Sequence, residues 1–272
     1  MTSAGGYAEV IGDPIAHSRS PEIHTFWLEK AGLGFDYRAT KVTRAELPEF
    51  LKARRVDPAW RGCNVTMPLK LDAAILADDA TDRAVAAGAA NILVAKEGAL
   101  LAGNTDVGGV LQLLGPRLAK SAPGGITLLG NGGAARAVLV ALRMLGVGDV
   151  RLQARDVADA TRLAVQFGLG ERPRPFDAAI DSAGLINATP MGMASEPPFA
   201  IDLSQMPSSG WVFDLVTDPV ETALLRGARE RGLATIDGIA MLVEQAAASF
   251  MLLFGQEPRR EDDSALMETL RA

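Results

Sequence analysis

Three short polar segments within the first 106 residues carry the side chains best suited to small-molecule chemistry. Hydroxyl, amide, ammonium and carboxylate groups of this kind can hold a polyhydroxylated or carboxylated ligand. Each segment also has an ordinary structural interpretation, as a helix cap or as solvated charge. The segments are Asp13–Pro21 with Ser18 and Ser20, Gly62–Lys70 with Asn64, Thr66 and Lys70, and Gly103–Asp106, which ends in Asp106.

A lysine beside an aspartate can move a proton to or from an alcohol. Hydride transfer at an alcohol carbon needs a group that handles the hydroxyl proton, and histidine is the usual choice. The chain has only two histidines, His17 and His24, and one cysteine, Cys63, which are too few for a structural zinc site. We therefore expect Lys70, held by the carboxylate of Asp106, to carry the proton without a metal.

A glycine-rich turn in the second half of the chain predicts a nucleotide site. It follows an apolar strand candidate and opens a helix candidate, which is the context that the G-x-G-x-x-G/A pattern requires. The glycines permit a tight turn and close approach of a pyrophosphate, and the helix N-terminus supplies free amides. A glycine turn without a ligand is the alternative. The candidate residues are Gly130, Asn131, Gly132, Gly133, Ala134 and Ala135.

The end of the following strand bears on which cofactor is bound. It carries Arg155 and then Asp156. An arginine there suits the 2′-phosphate of NADP, whereas an acidic residue suits the 2′-hydroxyl of NAD and repels a phosphate. From these residues alone, the choice between NADP and NAD stays open.

Strand and helix candidates alternate along the chain, which predicts an α/β fold with parallel or mixed sheets. Residues 1–106 and 107–237 are expected to form two domains, the second one doubly wound. The strand candidates are 8–11, 35–42, 62–66, 89–95 with a turn at Gly98, 126–129, 149–154, 179–187, 211–215 and 233–236. The helix candidates are 21–31 with Ser20 as its cap and Gly32 as its end, 46–54, 104–120, 134–145, 156–167, 222–231 and 238–254.

The composition argues against several classes of protein. The 272 residues include 27 basic and 33 acidic side chains, a net charge of −6, and an acidic chain repels phosphate backbones, so we expect no nucleic-acid partner. The sequence has no signal-peptide pattern and no apolar run of about 18 residues, so we expect no membrane partner either. A single cysteine excludes an intrachain disulfide, which fits the cytoplasm.

Several motifs spread over nearly the whole chain can now be taken together. They are Val10–Pro21, Asn64-Val65-Thr66-x-Pro68-x-Lys70, Gly88-Ala89-x-Asn91, Gly103–Asp106, Asn187-Ala188-Thr189-Pro190-x-Gly192, and Asp237-Gly238 followed by Met241 and Gln245. The set resembles the shikimate dehydrogenase family. The resemblance implies reversible NADP-dependent reduction of 3-dehydroshikimate to shikimate, in the chorismate pathway to aromatic amino acids. It also implies an N-terminal α/β substrate domain (1–106), a Rossmann domain (107–237) and C-terminal helices (238–272) that return to the first domain.

The resemblance further implies roles for individual residues. Ser18 and Ser20 would hold the substrate carboxylate, and Lys70 would exchange the hydroxyl proton. The ring hydroxyls would be bound by Thr66, Asn91, Asp106 and Gln245, with Asn64 in support. On the cofactor side, the Gly130 turn would take the pyrophosphate, and Thr189, Leu215 and Gly238 would lie near the nicotinamide.

Two departures from the family pattern widen the range of substrates and cofactors. A second arginine that grips the 2′-phosphate is replaced by Asp159, which makes NAD an alternative cofactor. A tyrosine that touches the substrate carboxylate is replaced by Thr217, whose hydroxyl has a shorter reach. The alternatives are therefore a quinate/shikimate or aminoshikimate dehydrogenase that uses NAD, or a dinucleotide sensor without turnover. A homodimer is an open alternative for the oligomeric state.

Overall fold

Two units make up the structure, a computed structural model that describes residues 5–119, 124–194, 196, 199 and 201–272. The first unit comprises Met1–Gly109 and Leu242–Ala272, and the second comprises Val110–Met241. The boundaries drawn from the sequence lie at 106/107 and 237/238. Within the described residues, no helix is long and apolar enough to cross a membrane.

The first unit is built on a mixed six-stranded sheet with the strand order β2-β1-β3-β5-β6-β4. β1 runs parallel to β2 and β3, whereas β5 runs antiparallel to its neighbours β3 and β6. Its elements, with α5 continuing into the second unit, are β1 (Tyr7–Gly12), α1 (Ser20–Ala31), β2 (Asp36–Lys41), α2 (Leu47–Arg55), β3 (Trp60–Val65), α3 (Lys70–Leu76), β4 (Asp79–Ala80), α4 (Asp82–Ala87), β5 (Ile92–Lys96), β6 (Ala99–Gly103) and α5 (Thr105–Leu118).

The second unit is built on a parallel six-stranded sheet with the order β12-β11-β10-β7-β8-β9. Read from β9, this is the doubly wound order that places a ligand at the carboxyl ends of the strands where the order reverses. Its elements, followed by two C-terminal helices, are β7 (Ile126–Leu129), α6 (Gly133–Met144), β8 (Val150–Ala154), α7 (Val157–Phe167), β9 (Arg174–Pro175), β10 (Gly184–Asn187), β11 (Trp211–Asp214), α8 (Ala223–Glu230), β12 (Ala234–Ile236), α9 (Gly238–Phe254) and α10 (Asp263–Arg271).

The predicted α/β architecture is confirmed, including the return of the C-terminal helices. From Leu242 onward α9 belongs to the first unit, where the hydroxyl of Ser249 accepts a hydrogen bond from Asn64 on β3. The predicted turn at Gly98 closes the β5–β6 hairpin, with Glu97 and Gly98 at positive φ, as the two-residue type I′ turn requires.

Several sequence-based element boundaries are wrong. Ser20 is not the cap of α1 but its first residue, because the backbone of Arg19 is already helical; Arg19 occupies the cap position without a side-chain cap. The strand expected at 179–187 is confined to β10, because the Ser182 hydroxyl bonds the backbone of Thr127 and Gly184 and ends the regular pairing. The helix expected at 104–120 ends at Leu118, and Lys120 lies outside the described residues.

The short elements were not predicted from the sequence. The helices α3 and α4 have seven and six residues, which is too few turns for an apolar period to show. Tertiary packing holds α3 in place, since Leu69, directly before it, is fully buried in the core cluster with Ile11 and Leu93. The other unpredicted elements are β4, β6 and β9, and α10 was expected only as part of the C-terminal helices over 238–272, without bounds of its own.

Candidate active site

Lys70 and Asp106 form an ion pair in the first unit. Lys70 is the first residue of α3, and Asp106 is the second residue of α5. The ammonium nitrogen Nζ lies 2.6 Å from Oδ2, and the side chains are only 17% and 10% exposed. A charge-assisted bond this short, with little water around it, holds both groups in one orientation.

The sheet brings these two residues to one edge. β3 and β6 are both antiparallel to β5, so their carboxyl ends point the same way. Lys70 follows β3 after a short loop, and Asp106 follows β6 almost directly. Asn104 starts α5 because its Oδ1 accepts from the amide of Val107 at 3.3 Å, which is the N-cap expected of the third polar segment.

Asn91 connects Asp106 to the substrate residues predicted around it. Its Nδ2 donates to Oδ1 of Asp106 at 2.9 Å, to Oγ1 of Thr105 at 2.8 Å and to Oε1 of Gln245 at 3.2 Å. The backbone amide of Thr105 donates back to Asn91 Oδ1 at 2.7 Å. Asn91 is only 2% exposed, and its bond to Oδ1 fixes the carboxylate through the oxygen that Lys70 does not contact.

Asn64 and Thr66 lie at the carboxyl end of β3. Asn64 is buried on the strand and bonds Tyr37 and Ser249. Thr66 is half-buried in the loop that leads to Lys70, and its backbone amide donates to the carbonyl of Ile11 at 2.9 Å. This contact joins the loop to β1.

Ser18 and Ser20 occupy the loop after β1 and the start of α1. The amide of Ser20 donates to Oγ of Ser18 at 3.4 Å. Asp13 in the same loop donates its amide to the carbonyl of Met67 at 3.1 Å, so this loop and the loop before Lys70 are bonded to each other. Ser18 is half-buried and Ser20 is buried.

The nucleotide turn of the second unit has an open backbone face. Gly130, which follows β7, has a φ of +103°, and a Cβ there would lie 2.8 Å from Cγ2 of Thr189. Gly132 is the cap residue of α6, and its two chain neighbours aside, no heavy atom of the described residues lies within 4 Å of its ideal Cβ position. Gly133 and Ala134 form the first turn of α6, and Ala135 behind them is fully buried.

Asn187 fixes the predicted nicotinamide residue Thr189. Its Oδ1 accepts from the amide and the hydroxyl of Thr189 at 3.1 and 2.6 Å, and its Nδ2 donates to Oδ1 of Asp214 at 2.9 Å. Burial raises the pKa of Asp214, although the hydrogen bonds that its carboxylate accepts from Thr222, Val216 and Asn187 act in the opposite direction. The backbone amide of Leu215 donates to the Asn187 carbonyl at 3.0 Å.

Gly238 lies directly against the loop that follows β11. An ideal Cβ at Gly238 would overlap the carbonyl oxygen of Val216, and it would lie 2.8 Å from that of Leu215. Only glycine fits this close approach. Thr217 is half-buried two residues further along this loop and is the one predicted substrate residue that belongs to the second unit.

The acidic residues at the predicted adenine end are engaged in local structure. Asp156 caps α7, with its Oδ1 accepting from the amide of Asp159 at 2.9 Å. Asp159 accepts from Nδ2 of Asn131 at 2.6 Å and from Arg162 at 2.8 Å. Arg155 is exposed. The two carboxylates are therefore less able to repel a phosphate than their bare charges suggest.

Sequence reasoning missed some of the residues that hold this site. Thr105 and Asn187 stand inside the quoted motifs, and Asp214 directly precedes the predicted residue Leu215, so these neighbours could have indicated them. Ser249 lies four positions after Gln245, one helical turn along α9. Tyr37 is marked by no motif, and only the folded structure shows its contact with Asn64.

Comparisons with known proteins agree with this geometry. Residues 10–93 match the profile of the shikimate dehydrogenase substrate binding domain. The shikimate dehydrogenase (NADP(+)) of Sphingopyxis alaskensis is 44% identical over 271 residues, covering 99% of this chain and 98% of that protein. The crystal structure of shikimate 5-dehydrogenase from Thermus thermophilus in complex with NADP(H) and shikimate is 36% identical, with a TM-score of 0.85 and 98% of each chain covered.

A quinate dehydrogenase also has this fold. The enzyme from Corynebacterium glutamicum, solved in complex with NAD, is 31% identical, with a TM-score of 0.83 over 98% of this chain and 97% of that one. The relatives thus share one architecture while differing in substrate and cofactor. Identity over almost the full length of the Sphingopyxis enzyme, together with the matched substrate-domain profile, establishes that the chain belongs to the shikimate dehydrogenase family.

Proposed function

We propose that this chain is a shikimate dehydrogenase, which reversibly reduces 3-dehydroshikimate to shikimate with NADPH in the chorismate pathway to aromatic amino acids. The observation that carries the proposal is the shielded pair of Lys70 and Asp106, with Nζ and Oδ2 2.6 Å apart. Asn91 and Gln245 have polar groups that suit ring hydroxyls. Asn91 is bonded to Asp106 of this pair and also to Gln245.

Most of the proposed substrate residues lie in the first unit. We therefore assign residues 1–106 and 238–272 to the substrate domain and 107–237 to the cofactor domain. Ser18 and Ser20 bind the carboxylate with hydroxyls at the start of α1, where the helix dipole favours an anion. The ring hydroxyls are bound by Thr66, Asn91, Asp106 and Gln245, with Asn64 in support. We also assign Thr217 to substrate binding.

Lys70 moves the proton in the proposed reaction. In the reductive direction its Nζ donates a proton to the carbonyl oxygen as hydride reaches the carbon, which produces the alcohol. In the oxidative direction Nζ takes the proton from the hydroxyl. Asp106 orients the ammonium throughout, and Asn91 holds Asp106. The low exposure of the pair keeps water from competing for the proton.

The residues of the second unit fit a nicotinamide cofactor. The open face at Gly132 leaves the backbone amides at the start of α6 accessible to a pyrophosphate. A nicotinamide cofactor, when bound, supplies or takes up the hydride. We assign its binding to Gly130, Asn131, Gly132, Gly133, Ala134, Ala135, Arg155, Asp156, Thr189, Leu215 and Gly238, with NADP as the cofactor because Arg155 suits a 2′-phosphate.

The proposal extends to a cytoplasmic homodimer. Cys63 is a buried free thiol, which fits a reducing compartment. Val56 and Ile75 are large apolar side chains exposed on the first unit, and a second copy of the chain could cover such surface. Sedimentation of the purified protein should give twice the mass of one chain, and the mass of a single chain would contradict the dimer.

Absorbance at the nicotinamide band tests the function directly. We expect the purified chain to reduce NADP⁺ in the presence of shikimate, with a higher kcat/KM than for quinate or for NAD⁺. Faster turnover of quinate would instead favour the quinate dehydrogenase alternative. The short side chain of Thr217 is compatible with a substrate other than shikimate. Cofactor binding without turnover of either substrate would contradict the enzyme and favour a sensor.

A further inference from the structure

A chain of buried hydrogen bonds continues from the proposed catalytic pair into the interior of the first unit. The phenol of Tyr37 donates to Oδ1 of Asn64 at 2.7 Å, and Nδ2 of Asn64 donates to Oγ of Ser249 at 2.8 Å. Oγ of Ser249 lies 3.0 Å from Oγ1 of Thr105. All four residues are buried, with Ser249 fully so.

The same chain reaches the carboxylate of Asp106 through one more residue. Oγ1 of Thr105 accepts from Nδ2 of Asn91, and that amide also donates to Oδ1 of Asp106. The phenol at one end and the carboxylate at the other are therefore linked without a gap. Residues of β2, β3, α5 and α9 all contribute, so these bonds also tie α9 to the sheet.

The direction of each bond follows from the Tyr37 phenol. Burial raises the pKa of Tyr37 well above its usual value, so the phenol stays protonated and donates. Asn64 must then present Oδ1 to Tyr37 and Nδ2 to Ser249. With its oxygen accepting from Asn64, Ser249 can donate to Thr105, whose own hydrogen then faces Oε1 of Gln245 at 3.4 Å.

Tyr37 is itself fixed in place. Its ring stacks on that of His24, with 4.1 Å between centroids and 10° between planes. The stacked ring holds the phenol oxygen within hydrogen-bond distance of Oδ1 of Asn64. The orientation of a buried amide, which could otherwise flip, is thus set by a residue with no direct bond to the catalytic pair.

We propose that the hydroxyls of Tyr37 and Ser249 are positioning groups that orient Asn64, Asn91 and Asp106 for proton transfer through Lys70. This inference rests on the proposed function. Without either hydroxyl, Asn64 loses a partner that fixes its amide, and the Thr105–Asn91 end of the chain loses its support. Asp106 would then sample orientations in which Lys70 is misaligned.

Removal of single oxygen atoms tests this role. Tyr37→Phe and Ser249→Ala should each lower kcat for shikimate roughly 5- to 10-fold, the factor expected for about 1 kcal/mol of lost positioning. The KM for NADP⁺ should stay within about twofold of wild type, because the cofactor residues belong to the second unit. The double variant should lose less than the product of the two single losses, because both hydroxyls act through one chain.

Two matched variants control for the loss of a buried or bonded hydroxyl. Tyr7→Phe removes the other tyrosine hydroxyl of the chain, which donates to Asp57. Ser182→Ala removes a fully buried serine hydroxyl that bonds Thr127. Both controls should keep the wild-type kcat. Thermal melting of all variants identifies those that fold.

The outcomes separate this inference from the function on which it rests. If the wild-type protein turns over shikimate while a folded Tyr37→Phe variant keeps full kcat, the positioning role is wrong and the function stands. The same conclusion follows if the control variants lose as much kcat as the test variants. If the wild-type protein shows no shikimate turnover, the proposed function is wrong, and the positioning role falls with it. If Ser249→Ala does not fold, Tyr37→Phe alone decides.

Discussion

The side-chain amide of Asn131 donates to Oδ2 of Asp159 at 2.6 Å, which bonds the nucleotide turn to the first turn of α7. Arg162 binds the other carboxylate oxygen at 2.8 Å. In the sequence, Asp159 reads as a negative charge placed where a 2′-phosphate would lie. In the structure both oxygens of that carboxylate are bonded, one to the Asn131 amide and one to the Arg162 guanidinium. Asp159 therefore repels a 2′-phosphate less than its formal charge suggests, which favours NADP.

Arg155 should therefore control affinity for the 2′-phosphate. Arg155→Ala is expected to raise the KM for NADP⁺ about 10-fold or more, because a charged hydrogen bond contributes roughly 1.5–3 kcal/mol. The KM for NAD⁺, which lacks the phosphate, should change little. Steady-state kinetics with both cofactors measures the difference, and equal changes for the two would contradict the assignment.

Asp156 should oppose the same phosphate while stabilising α7. Asp156→Ser keeps an oxygen that can cap the helix and removes the charge, so the KM for NADP⁺ should fall without loss of stability. Asp156→Ala removes both and should lower the free energy of unfolding by about 1 kcal/mol. A serine variant with an unchanged preference between NADP⁺ and NAD⁺ would show that the charge is immaterial.

The two glycines of the nucleotide turn should respond differently to alanine. Gly130→Ala places a Cβ 2.8 Å from Thr189 at a φ of +103°, so it should destabilise the protein by roughly 1–3 kcal/mol. Gly132→Ala meets open space and should leave stability almost unchanged while raising the KM for NADP⁺. Thermal melting measures the change in stability, and steady-state kinetics measures the change in the KM for NADP⁺. A Gly132→Ala variant with normal cofactor affinity would argue against the pyrophosphate site.

His24 should make the fold sensitive to acid. Its ring is fully buried against Tyr37 and Phe250, and desolvation lowers its pKa from 6.5 to about 3. A group whose pKa is depressed in the fold binds protons first in the unfolded chain, so the free energy of unfolding falls as the pH drops from about 6.5 towards 3. At pH 5 the loss should be about 2 kcal/mol.

Substitution of His24 isolates that contribution. His24→Phe keeps an aromatic ring in the stack and cannot be protonated. Between pH 7 and pH 5, its free energy of unfolding should therefore fall by about 2 kcal/mol less than that of the wild-type protein. Urea unfolding of both proteins at the two pH values gives this difference. Parallel stability curves would show that His24 is not buried as a neutral ring.

The apolar patterns predicted the architecture, and the motifs indicated Lys70 and Asp106, which lie in hydrogen-bond contact in the structure. Lys70 could be placed just after a predicted strand, whereas Asp106 was paired with it on chemistry alone, because β6, the strand before Asp106, was not predicted. The start of α1 was misplaced by one residue, since a serine before proline reads as a cap while the backbone of Arg19 is already helical. Short elements such as α3 depend on packing around Leu69, which no local pattern encodes.

The supporting hydrogen bonds could not be predicted from sequence. Tyr37 lies 27 positions from Asn64, and Asn64 lies 185 positions from Ser249, so only the tertiary fold brings them together. The charge of Asp159 was also misjudged, because its partner Asn131 belongs to the preceding βα turn. The sequence gives the charge of a side chain, but the effect of that charge on a ligand depends on the groups that the fold places beside it.

The central claim is that Lys70 carries the proton, and the kcat of Lys70→Met tests it most directly. Methionine approximates the length of the lysine side chain without its ammonium, so binding should survive while proton transfer is lost. We expect kcat for shikimate and NADP⁺ to fall about 100-fold or more, with the KM for shikimate within roughly fivefold of wild type. A folded Lys70→Met protein with the wild-type kcat would contradict the account.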